Sequence, residues 1–122
     1  MVVDDEPDQI ITLKYLFKDY DDKYDLVGAK SGEECLQLLQ NGEHPDVILL
    51  DIMMPGMSGW ELFDKLKDNS SWQDIPIVFL TARTDDLAED AGNFLGEDYI
   101  EKPFEIEELI KRVDAIIEKK KQ

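Results

Sequence analysis

Apolar runs and helix-spaced segments alternate along this chain. The runs are Met1-Val2-Val3, Tyr24 to Ala29, Asp46 to Leu50, Ile75 to Leu80 and Asp98 to Glu101. All but the very short first one have the length of a strand buried on both faces. Between them, Ile10, Leu13, Leu16, Phe17 and Tyr20 recur at helical spacing, and Cys35, Leu36, Leu38 and Leu39 form a second such group. A third helix is predicted from about Trp60 to Lys67. A fourth is predicted from Asp85 to Leu95, with Leu87, Ala91, Phe94 and Leu95 inward. The fifth starts near Glu105 and carries Ile106, Leu109, Ile110, Val113, Ile116 and Ile117 on one stripe.

The punctuation agrees with this division. Pro7 suits a first helical position, and Asp8 suits the positive end of the helix dipole. Ser31 and Glu34 fit a capping box, and Asn41-Gly42 fits a helix stop. The loop Pro55 to Gly59 precedes the third helix, and the polar stretch Asp68 to Asp74 follows it. Lys119, Lys120 and Lys121 put cations at the negative end of the last helix. Five strands alternating with five helices predict an α/β fold, a parallel sheet covered on both faces with right-handed crossovers. No linker or internal repeat divides the chain, so residues 1–122 are read as one domain.

Composition narrows the function more than the fold. There are 29 acids against 13 bases, a formal charge of -16. Such a surface repels phosphate backbones, which argues against direct nucleic-acid binding. Cys35 is the one cysteine, so no internal disulfide is available, and it is read as a small apolar core residue. No run is apolar enough to span a bilayer and the start does not resemble a signal peptide, so the chain is read as cytoplasmic. His44, the only histidine, sits beside Pro45 and reads as a loop residue.

The chemistry-bearing residues gather at strand ends. Val2-Val3 runs into Asp4-Asp5, the third run into Asp51, the fourth into Thr81, and Tyr99-Ile100 leads within two residues to Lys102-Pro103. In parallel α/β sheets, sites form at the carboxyl edge. Neighbouring strands would bring three acids, a hydroxyl and an ammonium to one rim. A carboxylate can attack a phosphoryl group to give an acyl phosphate, and a divalent cation offsets the repulsion between the two anions.

Four segments carry a family resemblance: Val3-Asp4-Asp5-Glu6-Pro7, Leu50 to Gly59, Leu80-Thr81-Ala82-Arg83 and Asp98 to Phe104. In this order the chain resembles the receiver domain of two-component response regulators, the CheY-like proteins. The resemblance implies a flavodoxin-like doubly wound sheet in the order 2-1-3-4-5. It implies Asp51 as phosphoacceptor and Mg2+ (or Mn2+) held by Asp5, Asp51 and the Met53 carbonyl, with Asp4 acting through water. It implies that Lys102 and Thr81 contact phosphoryl oxygens, that Thr81 and Tyr99 form the switch, and that Lys102-Pro103 is a cis peptide. The implied phosphodonor is a sensor histidine kinase or phosphotransfer protein. The implied output is a phosphorylation-dependent change in the face made by the fourth helix, fifth strand and fifth helix. A phosphorylation-linked dimer is compatible with it.

The chain departs from that pattern in several places. The first strand is short, Gly96-Glu97-Asp98-Tyr99 is one residue shorter than usual, and Ser58 stands where aspartate is commoner. In the family the positions of Met53 and Arg83 modulate dephosphorylation, and the resemblance implies that a bulky apolar and a long cation there hinder the attacking water and give a persistent phosphoryl state. Two other classes fit less well. A haloacid-dehalogenase-type hydrolase carries a second acid two residues after its nucleophile, where this chain has Met53. A flavodoxin-like electron carrier needs a glycine- and hydroxyl-rich phosphate loop after the first strand, where this chain has Asp4-Asp5-Glu6-Pro7. The chain is thus read as a phosphoacceptor with self-phosphorylation and autodephosphorylation chemistry, and not as a dedicated enzyme.

Overall fold

The computed structural model describes residues 1–20, 24–52, 54, 56–81, 98–101 and 104–121; for residues 81, 98, 99, 101, 120 and 121 it describes the backbone only. The strands are β1 (Val2–Val3), β2 (Gly28–Ala29), β3 (Ile48–Asp51), β4 (Ile77–Thr81) and β5 (Asp98–Glu101). The α-helices among the described residues are α1 (Pro7–Leu16), continued by a 3-10 turn over Phe17–Tyr20, α2 (Gly32–Gln40), α3 (Gly59–Lys67) and α4 (Ile106–Lys121). The helix α4 is the fifth helix of the sequence reading. The helix predicted over 85–95 lies outside the described residues.

All strand pairs are parallel, in the order β2-β1-β3-β4-β5. Alternation of side chains along the strands sorts the core into two layers. Val3, Ile48, Leu50, Ile77 and Phe79 pack with Cys35 and Leu39 of α2 and with Leu62, Phe63 and Leu66 of α3. Val2, Leu49, Val78 and Leu80 pack with Ile10 and Leu13 of α1 and with Leu109, Ile110 and Val113 of α4. Both faces of the sheet are therefore covered by helices, which is the doubly wound arrangement.

Local signals act where the sequence placed them. Pro7 opens α1. The Ser31 hydroxyl accepts from the Glu34 N–H at 3.0 Å at the start of α2. Gly42, just past α2, has φ +106°, a conformation glycine adopts without penalty. Cys35 is fully buried, and burial pushes its thiol up to about 11, so it packs as a small apolar group.

Strand extents differ from the sequence reading. The run Tyr24 to Ala29 contributes only Gly28–Ala29 as strand, because a ladder needs a neighbour and β1 offers Val2 and Val3 alone. The strands β3 and β4 start two residues later than predicted and end one later. Asp51 and Thr81 are thus the last residues of their strands, not the first residues of loops.

The Met1 ammonium lies at the other end of β1, where it donates to the Val47 carbonyl at 2.9 Å. Burial lowers its pKa from 8.0 to about 6, opposed by negative charge at Asp46, Glu43 and Asp25. Between those two values the unfolded chain holds this proton and the folded chain does not. Stability is therefore expected to rise as pH goes from 6 to 8. Denaturant midpoints across this range check the slope, which the N-acetylated chain should lack.

Candidate functional site

The carboxyl edge of the sheet positions the acids one by one. Asp4 follows β1 directly; its N–H donates to the Ala29 carbonyl at 3.0 Å, which ties it to β2. Its Oδ1 accepts from the Glu6 N–H at 3.0 Å, which fixes the side chain and satisfies a backbone donor at the entry to α1. Asp4 is 1% exposed and Asp51 8% exposed; these are the buried charged residues among the described ones. Asp5 is half-buried beside them. One carboxylate oxygen from each of Asp4, Asp5 and Asp51 lies within 4.8 Å of the other two.

Three acids at that spacing repel one another. Two unit charges about 5 Å apart interact by roughly 3 kcal/mol at an effective dielectric constant of ~20. The donors are all hard oxygens, the set that Mg2+ and Mn2+ take in preference to softer metals. The cluster therefore fits a small divalent cation, with Asp4, Asp5 and Asp51 as the side chains available to hold it.

The loop from Asp51 to α3 is fixed from both sides. The Ile52 N–H donates to the Leu80 carbonyl at 3.4 Å, and the Gly59 N–H donates to the Ile52 carbonyl at 3.0 Å. Gly56, at φ +72°, turns the chain between them. The Ser58 hydroxyl accepts from the Glu61 N–H at 3.2 Å and caps α3. Gly59 lets α3 start against the strand: a Cβ there would sit 2.5 Å from the Asp51 carbonyl oxygen and 2.7 Å from Ile52 Cα.

The other predicted site residues lie on or beyond the neighbouring strands. Asp51 pairs with Leu80, so Thr81 ends β4 one step beyond the acceptor position, opposite Glu101. Tyr99 pairs with Phe79 in β5, and its side chain is outside the description. Met53, Arg83, Lys102 and Pro103 lie outside the described residues, and with them the Met53 carbonyl ligand and the cis peptide. Sequence reasoning missed Ser58 and Gly59 as the residues that seat α3 on β3. A signal for the cap was present, since Ser58 and Glu61 repeat the Ser31–Glu34 spacing.

A parallel doubly wound sheet with three carboxylates at its carboxyl edge defines an α/β domain with a cluster of hard oxygen donors beside a strand-end aspartate. Comparison with known proteins narrows the class. The family model described as the response regulator receiver domain matches residues 1–114. The chain belongs to that family, whose members work in two-component signalling. It is 37% identical over 123 residues to a protein of Vibrio cholerae named "Probable cyclic di-GMP phosphodiesterase", covering 99% of this chain and 27% of that protein. It is 38% identical over 120 residues to the heme response regulator HssR of Staphylococcus aureus, covering 96% of this chain and 50% of that one. The chain thus spans between about a quarter and a half of the length of these relatives.

Solved structures agree on the fold. The chemotaxis protein CheY4 of Vibrio cholerae superposes with a TM-score of 0.82 at 28% identity, covering 94% of both chains. A CheY-like receiver domain protein of Methanospirillum hungatei gives 0.76 at 36% identity, covering 96% of this chain and 91% of that one. Among the described residues no helix is long and apolar enough to cross a membrane.

Proposed function

We propose that the chain is a phosphorylation-dependent signalling switch in which Asp51 accepts a phosphoryl group from a histidine kinase or phosphotransfer protein. The observation that carries this reading is the convergence of Asp4, Asp5 and Asp51 at the carboxyl edge of the sheet. A bound divalent cation would neutralise charge on both the acceptor and the incoming phosphoryl group. Asp5 and Asp51 would hold it directly, with the Met53 carbonyl, and Asp4 through water.

The chain's own residues do the rest. An Asp51 carboxylate oxygen attacks phosphorus, the bond to the donor nitrogen breaks, and an acyl phosphate forms on Asp51. Lys102 places a cation at one phosphoryl oxygen, and the Thr81 hydroxyl donates to another. Movement of Thr81 toward the phosphoryl group frees space that Tyr99 fills. Because β4 and β5 pair at Phe79–Tyr99 and Thr81–Glu101, both residues belong to one register-locked strand pair. The new contacts favour one of two arrangements of the face that includes β5 and α4, and that population shift is what a downstream protein reads.

The switch is tested by heteronuclear NMR of the chain with Mg2+, before and after a small phosphoramidate donor is added. Amide shifts should move at Thr81, in β5 and along α4 as well as around Asp51. Shifts confined to the neighbourhood of Asp51 would contradict a switch that reaches α4.

A further inference from the structure

One side chain of the loop after Asp51 reaches across to a second helix. Gly56 is exposed at φ +72°, with open space where its side chain would be. Met57, the next residue, is half-buried and packs against the core layer that includes Cys35 and Leu39 of α2. Its seat is Gly32, the buried first residue of α2. A Cβ on Gly32 would lie 2.5 Å from Met57 Sδ, 3.1 Å from its Cγ and 3.2 Å from its Cβ. Successive side-chain atoms of Met57 thus fill the space that any other residue at position 32 would need.

This contact closes a ring of supports around the acids. On one side, the Gly59 N–H donates to the Ile52 carbonyl, and Gly59 leaves no room for a Cβ against the Asp51 carbonyl. Only Ser58 separates Gly59 from Met57. On the other side, the Asp4 N–H donates to the Ala29 carbonyl. Only Lys30 and Ser31 separate Ala29 from Gly32. The Ser31 hydroxyl fixes the start of α2 by accepting from the Glu34 N–H. Met57 on Gly32 joins the two halves. Asp4 and Asp51, whose carboxylate oxygens lie within 4.8 Å of each other, are therefore linked through this contact as well as through the β1–β3 ladder.

We infer that Met57 is a positioning residue for Asp51, acting through its contact with Gly32. The inference rests on the proposed role of Asp51 as phosphoacceptor. Met57 acts on the backbone of the loop and not on the phosphoryl group. Attack on phosphorus needs the Asp51 oxygen in line, and a misplacement of about 1 Å can cost roughly a hundredfold in rate. The Ile52–Gly59 hydrogen bond alone leaves the loop free to swing away from α2. A methionine suits the remaining task, since its unbranched chain can lie along a glycine surface and hold by packing. Both partners can be changed mildly. A half-buried side chain loses less on truncation than a core one, and the flexible thioether can yield to a Cβ on residue 32. The effect on chemistry should therefore exceed the effect on stability.

The test follows labelling of the whole chain by a small phosphoramidate donor at saturating Mg2+, read as intact mass against time. The variants are Met57→Ala, Met57→Leu, Gly32→Ala, the double variant Met57→Ala with Gly32→Ala, and Leu38→Ala. Leu38 is a partly buried residue of α2 outside the ring, so its truncation weakens the same helix without breaking the contact. Met57→Ala and Gly32→Ala should each slow labelling by about fivefold or more. Met57→Leu should recover most of the rate, and Leu38→Ala should keep it. Both single changes break one contact, so the double variant should label within about twofold of the slower single one. Parental rates in both single variants would overturn the inference. So would no recovery in Met57→Leu, an equal loss in Leu38→Ala, or losses that multiply in the double variant. In each of these cases the parent is still labelled, and the acceptor reading stands. A folded parent that takes no phosphoryl group would overturn both.

Discussion

Asp51→Asn is expected to stabilise the metal-free protein while removing its response to Mg2+. The substitution keeps the side chain's size and deletes one of three converging negative charges. Asp51 is one partner in two like-charge pairs, each of roughly 3 kcal/mol at ~5 Å and an effective dielectric constant of ~20. Water around half-buried Asp5 screens part of this, and Asp51 gives up contacts it makes as a carboxylate. A net gain of about 1–3 kcal/mol is left, visible as a higher urea midpoint in the presence of a chelator. Mg2+ should raise the parent's midpoint, since a ligand that binds only the folded state stabilises it by mass action. It should leave Asp51→Asn nearly unchanged. A loss of stability in the variant without metal would mean that the three acids are not the repulsive cluster described above.

Gly59→Ala should do the opposite and cost about 2–4 kcal/mol. On propensity alone, alanine inside a helix gains roughly 1 kcal/mol over glycine. Here the added Cβ meets backbone, the Asp51 carbonyl oxygen at 2.5 Å and Ile52 Cα at 2.7 Å, and neither can step aside without moving β3. The clash therefore outweighs the propensity, and relief of it displaces the Asp51 backbone. Chemical denaturation gives the stability loss, and a Mg2+ titration should show affinity weakened as well. Gly32 is a useful contrast. Its added Cβ would meet the Met57 Sδ at 2.5 Å, the end of a flexible side chain, so Gly32→Ala should cost much less. Equal losses at Gly32 and Gly59 would remove the special role given to the Asp51 contact.

Much of this site was legible because its residues sit where strands stop. Strands β3 and β4 are apolar on both faces, so the acid and hydroxyl that end them stand out against Ile48 to Leu50 and Ile77 to Leu80. The pair Asp4-Asp5 stands out for the same reason. Strand extent was less legible, because pairing depends on the neighbour. Tyr24 to Val27 has a strand's composition but lies outside β2, since β1 is only Val2–Val3. The approach of α3 to β3 was not legible at all. Nothing local to Gly59 distinguishes a glycine that ends a loop from one pressed against Asp51, and only the tertiary contact decides it. Ser58 is an intermediate case: its spacing from Glu61 is a readable capping pattern, but that the cap seats α3 beside Asp51 depends on the tertiary fold.

The central claim is that Asp51 is the phosphoacceptor and that the acid cluster serves it. Intact mass of the parent and of Asp51→Asn, after treatment with a small phosphoramidate donor and Mg2+, addresses it most directly. The parent should gain the mass of one phosphoryl group when Mg2+ is present and little when a chelator replaces it, and Asp51→Asn should gain none. Equal labelling of parent and variant, or no labelling of a folded parent that binds Mg2+, would contradict it.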